Sequence, residues 1–510
     1  MKITKILLIS AIATLGLTSC GEDFFDTENS NVASKEQIDE IGNSSPDALI
    51  DVVEPLMLGL NNYTYQYNTQ GSGNTVHEDF GLMGIYHLGD VMNDDLAFHA
   101  RGSGWFTYDY ELDYWAEQYK RPFFYWNFFY SVIAKSNDII ALIGADVEDI
   151  QLRAYRGQAL AFRGMAHAYL AQMFQQTYVG NEDAPGVPIV LTPAESEYAQ
   201  AGRAPLRDVY AQVERDFKAS FEYLKGYTRP NKTMIDLSVA QGLYSRVCLV
   251  TNNWADAATY ARAARQGYNI YTQTEVVADN AFNNIGAKEW MWGADITSET
   301  TTMFASFFSF MCSYDAGYGG AVGQYRKIDA KLYSQMSAND VRRRLFKHDA
   351  SGLNYSATEA AFPNYTNMKF KKVAGWEADY VYMRVSEMVL TEAEALAHQN
   401  QYEAAATVLS ELMINRDKSW NQTAVTADEV YQQRRLELWG EGFSLFDHLR
   451  LKKGVERNYE GTNHLSSCLF TIAADSWYLH FQLPLREIDN SDAINAEDQN
   501  PIPTESKFKK

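Results

Sequence analysis

Between Tyr155 and Met173 the residues Tyr155, Ala159, Phe162, Ala166, Tyr169 and Met173 recur at steps of three and four. That spacing draws one apolar stripe along a helix and fits no strand, whose faces alternate every second residue. A stripe of this length needs cover. The preceding segment, Phe124 to Ile143, supplies a second helix, and Pro122 suits its first turn. The two are predicted to pack as an antiparallel hairpin. Pro205 opens a further helix that carries Leu206, Val209, Val213, Phe217, Phe221 and Leu224 on one face.

Two later segments share a pattern. Trp254 is followed by Ala257 and Ala258, and Tyr402 by Ala405 and Ala406, each after an alanine-containing helix near residues 240–249 and 392–397. An aromatic wedge followed by small residues lets two helices approach closely, as in tetratricopeptide-type pairs. The expected fold class is therefore mostly α, with tetratricopeptide-like pairs in an α-α superhelix. Short strands near Val187–Leu191 and Leu479–Leu483 would be minor. Long irregular segments are expected at 60–120, 178–204, 270–335 and 350–380, and loops of that size carry function or small elements of their own. Near the C-terminus, Thr426 and Glu429 form a capping box for a helix running through Val430, Leu436 and Trp439, with a break at Gly440 and Gly442.

The front of the chain reads as an address. Lys2 and Lys5 precede an apolar run from Ile6 to Leu17, too short for the about 20 residues that span a bilayer. Thr18 and Ser19 before Cys20 look like a bacterial lipoprotein processing box. Residues 1–19 are then a signal peptide, and Cys20 is the lipidation site, held by acyl chains at about 0.8 kcal/mol per buried methylene. An ordinary secretory signal is the alternative. No later run of 18 or more apolar residues occurs.

The chain carries 44 lysines and arginines against 65 acids, a net charge of −21; removing residues 1–19 takes two lysines and no acids, giving 42 − 65 = −23. Such a surface repels phosphate backbones and anionic headgroups, which excludes nucleic acid as a partner and disfavours strongly anionic polysaccharide. After Cys20 the cysteines are Cys248, Cys312 and Cys468. One disulfide is allowed in an oxidising location, but small buried hydrophobes are the favoured reading. No H-E-x-x-H, G-x-S-x-G, Walker loop or C-x-x-C occurs, so no cofactor is expected. A metal set on loops has no spacing to read.

Four stretches resemble the SusD/RagB family of outer-membrane nutrient-binding lipoproteins. They are C-G-E-D-F-F-D (Cys20 to Asp26); A-L-A-F-R-G-M-A-H-A-Y-L-A-Q-M-F (Ala159 to Phe174), followed by G-V-P-I-V-L; R-R-L-E-L-W-G-E-G-F-S-L-F-D-H-L-R (Arg434 to Arg450); and L-P-L-R-E-I-D (Leu483 to Asp489). Departures are Gln433 where glutamate is usual, Gly440 where an aromatic is common, and N-P-I-P (Asn500 to Pro503) at the end. The resemblance implies a single domain over 20–510, with an N-terminal helical-repeat part at about 27–226 and a C-terminal part at about 236–510. It also implies a loop-rich, ligand-facing side, an oligosaccharide cargo with peptide as the alternative, and no enzymatic activity. A SusC-type TonB-dependent transporter would be the partner, which such a protein covers as a lid. The acids Glu22 and Asp23 resemble the tag that sends lipoproteins of Bacteroidetes-type bacteria to the outer face of the outer membrane.

Sugars present hydroxyl edges and apolar C–H faces, so a glycan site wants exposed rings beside polar groups. Residues 101–130 hold fourteen aromatics, too many for one loop to expose. Phe123 to Tyr130 are assigned to the core, while Trp105, Tyr108 and Tyr110 follow a flexible G-S-G and alternate with polar residues, so they are ligand-binding candidates; pinning the loop is the competing role. Tyr314 and Tyr318, among glycines in Ser313–Tyr325, are the second set, in a segment that by the resemblance lines the ligand face. Trp290 and Trp292 resemble an element that packs inside. Arg434, Arg435, Glu437, Glu441, Asp447 and Arg450 read as a structural ion-pair network. Two rivals remain: an all-α glycoside hydrolase drawing on Asp94, Asp95, Asp109, Glu111 and Asp113, and a helical scaffold that binds only protein.

Overall fold

Helices of seven residues or more run, in chain order, as α1 (Pro46–Tyr63), α2 (Leu82–Met92), α3 (Lys120–Ile143), α4 (Ile150–Phe174), α5 (Leu206–Leu224), α6 (Leu237–Val250), α7 (Trp254–Ala264), α8 (Val385–His398), α9 (Tyr402–Met413), α10 (Ala427–Glu437) and α11 (Ser444–Arg450). The structure is a computed structural model describing residues 45–69, 76–102, 104–198, 201–314 and 317–508. Cys20 and residues 1–19 lie outside the described residues. The chain divides into two compact units, Met1–Val52 and Val53–Lys510. Only residues 45–52 of the first are described; helices α2 to α11 and every strand belong to the second.

The Tyr155 stripe is buried from end to end on α4. Helix α3 covers it as a hairpin partner, and α5 packs on its other flank. Asp149 starts α4 by accepting hydrogen bonds from the amides of Gln151 and Leu152, which satisfies two of the donors that a helix start leaves free. Among the later helices α6 packs on α5, α7 on α6, α9 and α10 on α8, and α11 on α2. Helix α7 also packs directly on α8, although 120 residues (265–384) separate them in the chain. Ala257, Ala258, Ala261 and Ala264 are buried, as are Ala405 and Ala406, so the small residues do permit the close approach. Trp254 stacks on His398 at 3.9 Å, and Arg262 and Arg265 both reach Glu392, at 2.6 and 2.7 Å. The helical array is thus continuous in space where the sequence interrupts it.

Three two-stranded antiparallel pairs stitch the irregular segments to this array. Strand β1 (Leu96–Phe98) pairs with β3 (Arg326–Ile328), with Leu96 opposite Ile328. Strand β2 (Trp290–Ala294) pairs with β4 (Tyr380–Arg384), which runs straight into α8. Trp290 and Trp292 are buried there, as expected. A third pair, β5 (Val455–Glu456) with β6 (Thr471–Ile472), is minimal. The strands expected at 187–191 and 479–483 do not form. Leu479 ends a 3-10 turn, and the amides and carbonyls of these stretches find irregular partners: Ala204 donates to Val187, Phe481 to Met173 and Gln482 to Trp115. Cys248, Cys312 and Cys468 are all buried free thiols, so no disulfide joins them.

The acidic and basic residues of the C-terminal motif are buried in pairs. Glu437 takes Arg384 at 2.8 Å and Arg416 at 2.9 Å; Glu441 takes Arg384 at 2.7 Å and Lys369 at 2.6 Å. Arg342 joins through Glu437 at 3.4 Å and pairs with Asp340 at 2.7 Å, and Glu289 lies 3.1 Å from Arg384. Beside this cluster, Asp447 bridges Arg434 (2.7 Å) and Arg450 (2.8 Å). Arg435 pairs with Asp94 and Asp95. Thr426 and Glu429 form the capping box of α10.

Burial disfavours the charges of Glu437 and Asp447, yet the flanking arginines outweigh it and hold both carboxyls below their ordinary range. A depressed carboxyl stabilises the folded state above its unfolded pKa, and that stability is lost as pH falls. The melting temperature is therefore expected to drop steeply below about pH 4, the ordinary carboxylate range, and Asp447→Asn should flatten part of that drop.

Gly442, in the turn between α10 and α11, has φ 88°. A Cβ there would lie 2.3 Å from Tyr86 Cβ on α2. Gly442→Ala is expected to destabilise the protein by about 3 kcal/mol, from left-handed strain and overpacking together, read as a shift in the urea midpoint.

Candidate ligand-binding cleft

Trp105 and Tyr318 meet across more than 200 residues of sequence, with ring centroids 3.9 Å apart and planes at 40°. Tyr318 is fixed from beneath by Phe310, stacked at 5.0 Å, and its hydroxyl is hydrogen-bonded to His77 Nδ1. His77 in turn stacks on Phe304 (6.0 Å, 11°), which is 43% exposed. Trp376 packs close by, against Gly317. Gly317 makes room for it, since a Cβ there would sit 2.9 Å from the tryptophan Cη2.

Both tryptophans are held in the left-handed region, Trp105 at φ 52° and Trp376 at φ 64°. Bulky residues rarely adopt that conformation, and it costs about 1–3 kcal/mol where the surroundings impose it. Behind Trp105, the turn Thr107–Tyr110 is clamped by a two-pronged ion pair from Arg121 to Asp109, both contacts at 2.7 Å. Burial opposes the Arg121 charge, but Asp109 and Glu78 overcome it and raise its pKa.

A cleft of about 290 Å³ opens beside Trp105, lined by His77, Glu78, Tyr114, Lys120 and Arg121. From Tyr114 a ladder of rings leads outward, to Tyr108 at 4.8 Å and Tyr119 at 4.9 Å. Chemically, the cleft offers flat apolar faces with hydroxyl, imidazole, carboxylate and ammonium groups at their edges. That is a surface for stacking and hydrogen bonding. Among the described residues no group of three or more His, Cys, Asp or Glu could hold a metal ion.

The sequence candidates part company here. Trp105 lines the cleft, Tyr318 is a buried ring stacked against it, and Tyr108 joins through the ladder. Tyr110 has no exposed surface, contrary to its expected outward face: its ring stacks on Phe98 at 4.2 Å and its hydroxyl bonds His464 Nδ1 at 2.6 Å. The reason is local. Residues 107–110 form a helical turn, so Tyr108 and Tyr110 point to different sides where an extended strand would align them. Tyr314 belongs to a different cluster, bonded to Glu359 at 2.8 Å and set edge-on to Phe362. His77, Tyr114, Phe304 and Trp376 were not singled out from the sequence. One signal existed: Gly104-Trp105 and Gly375-Trp376 are the chain's two Gly-Trp pairs; the first ring lines the cleft and the second packs close to Gly317. The acids considered for hydrolysis all face cations, Asp94 and Asp95 with Arg435, Asp109 with Arg121, Glu111 with Arg101 and Asp113 with Lys507.

Fold and cleft together define a helical-repeat scaffold that carries an aromatic recognition surface on its irregular segments. A family model described as "Starch-binding associating with outer membrane" matches residues 75–249, and that of the SusD family matches residues 208–502. The chain belongs to the SusD family. A solved SusD-like carbohydrate binding protein from Bacteroides vulgatus is 24% identical, with 90% of this chain and 99% of that one covered at a TM-score of 0.75. Surface glycan-binding protein A from Bacteroides uniformis is 18% identical (88% and 99% covered, TM-score 0.65). A laminarin binding SusD-like protein is 16% identical (88% and 99% covered, TM-score 0.64). No curated protein matches the chain. The family is associated with the outer membrane, and no helix among the described residues is long and apolar enough to cross a membrane.

Proposed function

We propose that this chain is a surface lipoprotein, anchored through Cys20, that captures neutral oligosaccharides and delivers them to a TonB-dependent outer-membrane transporter. Trp105, backed by Tyr318, forms the stacking surface with Trp376 beside it, Tyr108 and Tyr114 extend it, and His77, Glu78 and Lys120 meet sugar hydroxyls. The observation that carries this reading is Trp105, held at positive φ on the wall of the cleft and stacked on Tyr318, with a second strained tryptophan, Trp376, packed close to Gly317. Backbone strain of that kind persists where the surrounding structure over-determines it, and it clusters at ligand clamps. Membership of the SusD family and the carbohydrate-binding names of its solved members support the same cargo. Binding without bond cleavage fits the pairing of every candidate acid with a cation.

The test is affinity electrophoresis of the mature chain through gels containing neutral glycans, with peptides as competitors, followed by chromatography of recovered glycan. Retardation by at least one glycan, with unshortened product, is expected. Shortened product would make the protein a hydrolase. Competition by peptides with no glycan retardation would transfer the cleft to peptide cargo.

A further inference from the structure

We propose that a second cleft, walled by Trp126, Tyr130 and Glu487, binds an organic cation, an alkylammonium or guanidinium group. It is separate from the Trp105 cleft and does not depend on the function proposed for that cleft.

The cleft has a volume of about 270 Å³ and runs along the outer face of α3. Phe123, Asn127, Tyr130 and Ala134 recur there at steps of four and three, so they share one side of the helix. Trp126 and Tyr130 lie with ring centroids 4.7 Å apart. The Tyr130 hydroxyl donates to the Pro188 carbonyl at 2.9 Å, which locks that ring against the far wall. Glu487 closes the cleft from the short helix Leu485–Asn490, accepting a 3.1 Å hydrogen bond from Trp126 Nε1 at Oε2.

Glu487 differs from the buried glutamates elsewhere. Glu289, Glu387, Glu392, Glu394, Glu437 and Glu441 all face an arginine or lysine. Glu487 has no ion pair among the described residues, and no lysine, arginine or histidine lines its cleft. Burial accordingly pushes its carboxyl pKa up, with only the Trp126 indole acting against the rise. The other acid at the rim, Glu195, accepts from the amides of Leu191 and Thr192. Arg486 lies over the Phe123 ring at 4.7 Å, so one of these rings already carries a cation from the chain itself.

A half-buried carboxylate without a counter-charge, set among aromatic rings, is complementary to a weakly hydrated cation. Such a group gains ion–quadrupole attraction from the rings and charge-assisted hydrogen bonding or Coulomb attraction from the acid. Sugar hydroxyls gain neither to the same degree. The net charge of −21 further concentrates cations at the surface.

The experiment is isothermal titration of the full mature chain with two pairs of probes, choline against its neutral isostere 3,3-dimethylbutan-1-ol, and Nα-acetylarginine amide against Nα-acetylcitrulline amide. Each cation is expected to bind at least about ten-fold tighter than its neutral partner, the difference that about 1.4 kcal/mol provides. A stronger signal from the arginine derivative assigns the cleft to a polypeptide side chain, and one from choline assigns it to a free ammonium compound. Glu487→Gln should cut the cation affinity about ten-fold while glycan retardation stays unchanged. Asn127→Lys, which places a fixed ammonium in the cleft, should do the same and serves if the first variant does not fold. Equal affinity for cation and isostere, absence of cation binding, or indifference to the substitutions overturns the proposal. Loss of glycan binding alone would count against the Trp105 cleft and leave this one standing.

Discussion

Trp105→Ala should weaken binding of a neutral oligosaccharide about 30-fold, the ~2 kcal/mol expected when a central aromatic anchor is truncated. Titration calorimetry with the best glycan from the gel panel measures it directly. Trp376→Ala should have a similar effect. The double variant should lose less than the sum, because both rings meet the Tyr318–Gly317 edge and shared partners make truncations non-additive. Trp105→Gly is the sharper test of the strained backbone. Glycine adopts positive φ without penalty, so this variant should keep or gain about 1 kcal/mol of stability while losing the same affinity. An unchanged dissociation constant in Trp105→Ala would remove the cleft from the binding site. A stability loss in Trp105→Gly would show that the ring serves chiefly to pin the loop.

Glu437→Gln is expected to destabilise the protein by about 3–5 kcal/mol, because it strips charge from a buried cluster and leaves the guanidinium groups uncompensated. Arg384 and Arg416 both bond Glu437 within 3 Å, and all three side chains are almost wholly buried. The surface pair Lys331–Glu456 provides the contrast. It is separated by 2.8 Å, but its side chains are 55% and 52% exposed, so Glu456→Gln should cost under about 1 kcal/mol. Urea denaturation of both variants reads the difference. Similar effects at the two positions would mean that water reaches the Glu437 cluster.

The helical array was readable because its helices carry one-sided stripes, as on α4, or aromatic wedges followed by alanines, as at Trp254 and Tyr402. Helix α2 escaped for the opposite reason. All residues from Leu82 to Met92 are buried, so no polar face alternates with an apolar one and no stripe stands out. The Arg434–Asp447–Arg450 bridge was legible because its members crowd into one motif, whereas Arg384, Arg416 and Lys369, the partners of Glu437 and Glu441, lie outside it in the sequence. Half of the cleft was not legible, because His77, Phe304 and Trp376 come from segments far apart whose meeting depends on β1 pairing with β3 and β2 with β4. Tyr110 shows the other limit. A polar–aromatic alternation looks the same in sequence whether the backbone is extended or makes a single helical turn, and only the second occurs there.

The direct packing of α7 on α8 means that the ends of residues 265–384 are held by neighbours whose contact needs nothing from the interior of that segment. Closing a loop grows costlier by only about 0.6 kcal/mol for each doubling of its length. Changes of length in its irregular stretches, outside β2, β3, β4 and the buried Glu289, Arg342, Lys369 and Arg384, should therefore leave the surrounding frame intact, and Phe304, Tyr318 and Trp376 ride in such stretches. On the function proposed above, selectivity would then be altered from these stretches while the Trp105 side stays in place as a common wall.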